Sequence, residues 1–187
     1  MALIPIDYSD EQLLAMLRSA DERERGFRQF MALYQQGVYR HVRRMLAHHE
    51  DTNDVVQNTF VKAYRGLGNF EGRSSLATWL YRIATNEALT FLEGRKRRQT
   101  DSLDDGLHQL PVGADSVSDS DDILRRLEAA IQALPDKQKA VFNLRYYDEM
   151  PYDEMSEVFG TSVGALKASY HHAAKKVEAF LRSTIIS

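Results

Sequence analysis

YDEMSEVFGTSVGALKASYHHAAKK, residues 152–176, is the stretch on which the reading of this chain turns. After Pro151 it offers a short helical run, a turn at Phe159-Gly160-Thr161, and a second run that opens at Ser162 and extends to about Leu181. Helix, glycine-containing turn and helix at this spacing form the helix-turn-helix pattern, whose second helix enters the major groove of DNA. Immediately upstream, 123–133 repeats Ile123, Leu127 and Ile131 at four-residue spacing, and Pro135 stands just past its end. The next run, about 136–147, offers Val141, Phe142 and either Leu144 or Tyr146 to a core. Residues 123–187 thus read as one small helical domain.

Working back toward the N-terminus, 99–122 carries seven Asp, no Lys or Arg and little apolar content, the composition of a linker without a core. Its 24 residues reach about 80 Å when fully extended. Before it, 26–98 is basic, with twelve Lys/Arg against six acids. Phe27, Phe30, Met31, Tyr34, Val38, Val42 and Leu46 recur at three- and four-residue spacing, predicting a helix over about 25–47. A second helix opens at Asp51-Thr52-Asn53, any of which can cap its free N–H groups, and runs to about Arg65. Gly66, Gly68 and Gly72 break the pattern and leave the loop NFEGRSS, 69–75. A third helix begins near Ser75, runs to Leu92 or beyond, and buries Leu76, Leu80, Ile83, Ala84, Ala88 and Phe91. The expected fold is all-α. A helical extension (1–25), a bundle (26–98), an acidic flexible linker (99–122) and a helix-turn-helix domain (123–187) follow in order.

The net charge of −3 conceals this division, since 26–98 carries +6 and 99–122 carries −7. The local field is what DNA meets, so an acidic total does not argue against a nucleic-acid partner. The absence of Cys suits a reducing compartment. The start, MALIPIDYSDEQLL, lacks a basic region followed by an apolar one, and no apolar run nears the ~18–20 residues of a membrane span. A soluble cytoplasmic protein is expected. No Gly-rich phosphate loop or Ser/His/Asp arrangement is present, and Asp153/Glu154 read as acids favoured at a helix start. His48 and His49 read as capping or solvated side chains at a helix end. His171 and His172 are adjacent, so on a helix they point about 100° apart, with no third ligand spaced for a metal. Neither an enzyme nor a metal, cofactor or small-molecule substrate is expected.

Two segments carry the function. In SSLATWLYRIATN, 74–86, burial of Leu76, Leu80, Ile83 and Ala84 places Thr78, Arg82, Thr85 and Asn86 toward the opposite side. A cation, hydroxyls and an amide there can bind phosphate and read a base edge, and the loop adds Asn69, Phe70, Arg73 and Ser75. A base taken out of its stack needs such a pocket. Phe70, Trp79 and Tyr81 equally suit core packing, the preferred reading for Trp79. Asn86 is read the other way, because an Asn on a polar helix face gains little structurally.

At this point a family resemblance is clear. DTNDVVQNTFVKAYRGLGNFEGRSSLATWLYRIATN, 51–86, resembles region 2 of bacterial sigma factors of the extracytoplasmic function (ECF) group within the sigma-70 family. LPDKQKAVFNLRYYDEMPYDEMSEVFGTSVGALKASYHHAAKKV, 134–177, resembles their region 4. The resemblance implies a transcription initiation factor that joins core RNA polymerase, through the β′ clamp and the β flap, and binds promoter DNA. It implies that Asp54, Gln57 and Asn58 meet the clamp; Asn58 stands where an acid is common. Asn69–Ser75 and Asn86 match the loop and helix that capture a flipped base of the −10 element, with Lys62, Arg65 and Arg82 beside them. Lys167, His171 and His172 match positions facing the −35 element, with Ser169 on the same helix and Lys175 and Lys176 suited to phosphate. An anti-sigma factor is an implied partner.

Energetics agrees with a large partner. Opening about ten base-pair steps at roughly 1.4 kcal/mol each costs on the order of 14 kcal/mol, whereas one captured base returns about 1–3 kcal/mol. The recognition helix departs from the family pattern of several Arg, so the commonest specific contact, Arg on guanine, is unavailable within it. Two other readings compete. A dimeric helix-turn-helix regulator would need two half-sites about 34 Å apart and leaves 26–98 unexplained; a protein-binding adaptor would treat the basic stretch as solvated surface, including Arg95–Arg98, which otherwise reads as electrostatic contact with the DNA backbone.

Overall fold

The computed structural model describes residues 8–101 and 119–185, whose regular elements are all helices, with no strand among them. Helix α1 (Asp10–Arg18) starts in a capping box: Gln12 N–H donates to Ser9 Oγ at 3.2 Å and Ser9 N–H to Gln12 Oε1 at 3.1 Å. Helices α2 (Arg23–Leu46), α3 (His49–Gly66) and α4 (Leu76–Asp101) then fold around one core. Phe30, Val38, Val42 and Leu46 of α2 meet Val55, Val56, Phe60 and Ala63 of α3. Leu76, Leu80, Ala84, Ala88 and Leu92 of α4 complete the cluster. Ile83 and Phe91 are half-buried at its margin.

The turn between α2 and α3 differs from expectation. Ala47 takes a left-handed conformation (φ 63°), and α3 starts at His49, earlier than the Asp51-Thr52-Asn53 capping signal. Asp51 falls in the first turn, where its charge suits the dipole. Thr52 is buried and its hydroxyl donates to the His48 carbonyl at 2.6 Å, while Asn53 meets the His49 ring. His48, the residue before the helix, makes no side-chain capping bond.

The second domain comprises α5 (Asp119–Gln132), α6 (Asp136–Tyr146), α7 (Tyr152–Phe159) and α8 (Val163–Ile185). Helix therefore enters both ends of the stretch expected to be linker. Ile131, Leu134, Phe142, Ala173 and Val177 form one cluster, and Leu144, Met150, Met155, Val158 and Leu166 another. Leu144 is the buried alternative and Tyr146 is exposed. Ile123 is 62% exposed, against expectation, because the cluster on α5 ends at Leu127. Gly160 lies at φ +61°, which a side chain would strain, and Ser162 Oγ accepts from Ala165 N–H to start α8.

The two domains pack against each other along α4/α7 and α2/α6. Tyr81 of α4 enters the second domain's cluster, while Ala140 and Phe159 pack into the first. The rest of the seam is polar. Arg44 Nη1 donates to Asp148 Oδ1 at 3.2 Å and its guanidinium covers the Tyr147 ring. Gln132 Nε2 donates to the Arg44 carbonyl at 2.7 Å, Lys96 to Asp136 at 2.6 Å, and Thr78 Oγ1 to Glu154 at 2.7 Å.

Candidate nucleic-acid interface

The loop 69–75 is held by α1 and α4 rather than by its own length. Phe70 is buried, its ring 5.1 Å from that of Trp79, and its carbonyl accepts from Arg18 at 2.9 Å. Trp79 fits because Gly66, at the end of α3, presents no side chain: a Cβ there would stand 3.2 Å from the indole. Ser75 Oγ accepts from Thr78 N–H at 3.0 Å and caps α4. Leu76 N–H donates to Asp10 Oδ2 at 3.0 Å. Asp10 and Arg18 thus position this loop from α1, a role with no local sequence signal because their partners are 66 and 52 residues away.

Arg82 and Asn86, one turn apart on α4, are exposed beside this platform, as are Asn69 and Arg73. Arg73 pairs with Glu71, and Lys62 pairs with Glu87 across α3 and α4. Arg65 is exposed at the end of α3. Two residues expected on this outer side are not there. Thr78 is 1% exposed and bonds Glu154, and Thr85 is buried with its hydroxyl 3.0 Å from His41 Nε2. Both lie on faces of α4 covered by other helices. Phe70, being buried, offers no free face for a base, so its part is to support the loop.

On α3, Asp54, Gln57 and Asn58 form an exposed polar edge. Beside Gln57 runs an open groove of about 900 Å³ between α2 and α3, lined by Phe27, Met31, Val56, Phe60 and Tyr64 among others. On the helix-turn-helix, Leu166 and Ala173 are buried and Tyr170 is half-buried, anchoring α8. Lys167, His171, His172 and Lys175 are exposed, and Ser169 is half-exposed. Lys167 Nζ stands 5.6 Å above the Tyr152 ring, and Lys176 donates to Gln138 at 2.9 Å. The His171 and His172 rings are 6.0 Å apart; among the described residues no group of three metal-ligating side chains converges. No described helix is long and apolar enough to cross a membrane.

The family description Sigma-70 region 2 matches residues 30–98, and Sigma-70, region 4 matches 124–177. The RNA polymerase sigma-H factor of Pseudomonas aeruginosa is 30% identical over 183 residues, spanning 92% of this chain and 94% of that protein. This chain belongs to the ECF group of sigma-70 factors. The ECF RNA polymerase sigma factor SigW of Bacillus subtilis is 30% identical over 168 residues, covering 83% of this chain and 89% of SigW. Two solved structures share the fold. CnrH, in complex with the cytosolic domain of CnrY, superposes with a TM-score of 0.70 at 24% identity, covering 93% of this chain and 97% of its own. RpoE of Bartonella quintana, in complex with the anti-sigma factor NepR, gives 0.66 at 23% identity, covering 83% and 96%. The sigma factor is a subunit for core RNA polymerase and promoter DNA, with both regions on one chain, which disfavours the lone dimeric regulator.

Proposed function

We propose that 26–98 docks on the β′ clamp and reads the −10 element, that 123–187 reads the −35 element and meets the β flap, and that 99–122 joins them, with 1–25 an extension packed on the first unit. The observation that carries this is the pairing of exposed Arg82 and Asn86 on α4 with a loop locked by Phe70 and Trp79. A rigid platform beside a cation and an amide suits one unstacked base and its phosphate. Lys62, Arg65, Asn69, Arg73 and Ser75 line its approach.

Asp54, Gln57 and Asn58 then meet the clamp, with the apolar groove beside Gln57 taking partner side chains. Lys167, Ser169, His171 and His172 face the major groove, and Lys175 and Lys176 the phosphates. Tyr146, Tyr170, Val177 and Leu181 line a second, smaller groove suited to the flap. An anti-sigma factor is a further partner, the kind of protein with which the RpoE relative was solved. The sigma factor works in the cytoplasm and catalyses no reaction itself.

Asn86→Ala tests the reading. A flipped base exists only after opening, so open-complex formation should weaken by about 1–3 kcal/mol while closed-complex binding stays near wild type. Run-off transcription and promoter footprinting separate the two steps. Equal loss in both would reduce Asn86 to a structural residue.

A further inference from the structure

One short helix holds both ends of the loop 69–75. At the loop's entrance, Arg18 Nη2, in the last turn of α1, donates to the Phe70 carbonyl at 2.9 Å. Just past its exit, Asp10 Oδ2, in the first turn of α1, accepts from Leu76 N–H at 3.0 Å. These two side chains stand at opposite ends of the helix, about 12 Å apart along its axis at 1.5 Å per residue. The length of α1 therefore sets the span of the loop's mouth. Within that mouth Glu71, Gly72, Arg73 and Ser75 are exposed, and Gly72 stands at φ +74°. A glycine in that conformation is a permissive joint, so the loop's shape follows from where its ends are pinned.

Helix α1 is itself well seated. Its capping box fixes its start, Leu13, Met16 and Leu17 are buried, and Gly26 lets it touch α2. Asp10 Oδ1 also accepts from the Tyr34 hydroxyl of α2 at 3.3 Å, which orients the carboxylate toward Leu76. The buried apolar face alone would dock this helix. The two polar contacts add something else, since they reach 66 and 52 residues along the chain to the two ends of one loop. The match to region 2 begins at residue 30, so α1 lies outside it.

We propose that α1 is a strut for the −10 reader: Asp10 and Arg18 are positioning residues that hold the loop's mouth at the width at which an unstacked base seats beside Asn86. The proposal rests on the −10 reading above and gives residues 10–18 a part in promoter selection. A binding constellation must be held to within about 0.5 Å by its supporting contacts. Slackening one end of the loop therefore costs discrimination between bases before it costs the fold.

Arg18→Ala and Asp10→Ala each release one end of the loop. Holoenzyme assembled from core polymerase and each variant chain is assayed by run-off transcription on a promoter library randomised across both elements. The readout is the preference profile, the ratio of initiation between bases at each position, which does not change with the fraction of chain that is folded. Preference at the captured base should fall about fivefold, the lower end of what one base contact contributes. The −35 profile and the affinity for core should stay near wild type. Arg18→Lys keeps a donor for the Phe70 carbonyl and Asp10→Asn keeps an acceptor for Leu76 N–H, so both should restore most of the preference. An unaltered −10 profile with a lower total yield overturns the strut and leaves α1 a stabilising helix. So does a loss of preference that the conservative variants share in full with the alanine variants. Asn86→Ala on the same library separates the two readings. A profile shifted by Asn86→Ala alone overturns the strut and keeps the −10 reading, whereas a profile unmoved by every variant overturns both.

Discussion

Lys167 is the residue on which promoter preference at the −35 element turns. Its ammonium sits above the Tyr152 ring, so the side chain is partly ordered before DNA arrives. It stands on the exposed side of α8, with Leu166 buried and Tyr170 half-buried beneath. The only Arg of α8 is Arg182, in its last turn and paired with Glu178, so at the start of the helix Lys167 is the cation best placed to reach a base edge. Lys167→Ala should relax preference at one or two −35 positions and cost about 1–3 kcal/mol at the correct base. Transcription from a −35 mutant library measures this. A uniform loss across the library, with the salt slope reduced by about one unit, would make it a phosphate contact instead. Single residues were legible in the sequence where their own helix decides their surroundings. Arg82 and Asn86 are exposed, as the period of α4 requires, but Thr78 and Thr85 are buried, because their partners Glu154 and His41 lie 76 and 44 residues away. Periodicity reports on one helix and cannot register a second helix laid across it.

Element boundaries were readable wherever a chemical signal marks them: Gly160 and Ser162 at the helix-turn-helix, Ser75 at the start of α4, and the apolar period along α2. The start of α3 lies ahead of the capping signal because the true terminus carries no capping side chain while three good capping residues follow inside the helix. The crossing of α1 and α2 left no readable signal except Gly26. A Cβ there would meet Met16 Cβ at 2.9 Å and the Leu17 backbone nitrogen at 3.1 Å, so the glycine lets two helices touch. Gly26→Ala gains about 1 kcal/mol of helix propensity but forces α1 away, an overpacking cost of about 1–3 kcal/mol. Net destabilisation is expected in denaturant unfolding, and a stabilised variant would show that α1 is loosely docked. On α3, Asp54 and Gln57 lie three residues apart on one exposed edge. Changing both to Ala should weaken core binding with helicity intact; undiminished affinity in a pull-down titration would remove this edge from the polymerase interface.

At the scale of the molecule, the two domains were visible in the sequence as separate periodic regions around an acidic stretch, but their contact was not. It is assembled from scattered residues such as His41, Arg44, Tyr81, Asn143 and Asp148, none of which forms a motif. Tyr81 links this contact to pH. Burial, and then the negative charge of Asp148, push its hydroxyl up to about 12, against the opposing charges of Arg40 and Arg44. Tyr34 is raised to about 12 in the same way by burial and by Asp10, but inside the first domain. A tyrosine whose folded value lies above the unfolded value of about 10 binds its proton more tightly when packed. Its contribution is therefore complete below pH 10 and is lost as pH rises toward 12. For Tyr81, whose hydroxyl also lies against Gly37 of α2, separation of the domains removes Asp148 and part of the burial, whereas Tyr34 requires the first domain to loosen. The radius of gyration should consequently rise between pH 10 and 12 before helicity falls, and Tyr81→Phe, which has no proton to lose, should flatten that expansion. Tyr34→Phe should leave the expansion intact and flatten the later loss of helicity. Scattering and circular dichroism recorded over one alkaline titration resolve the two transitions. Superimposable expansion curves for wild type and Tyr81→Phe would show that the seam does not respond to this hydroxyl.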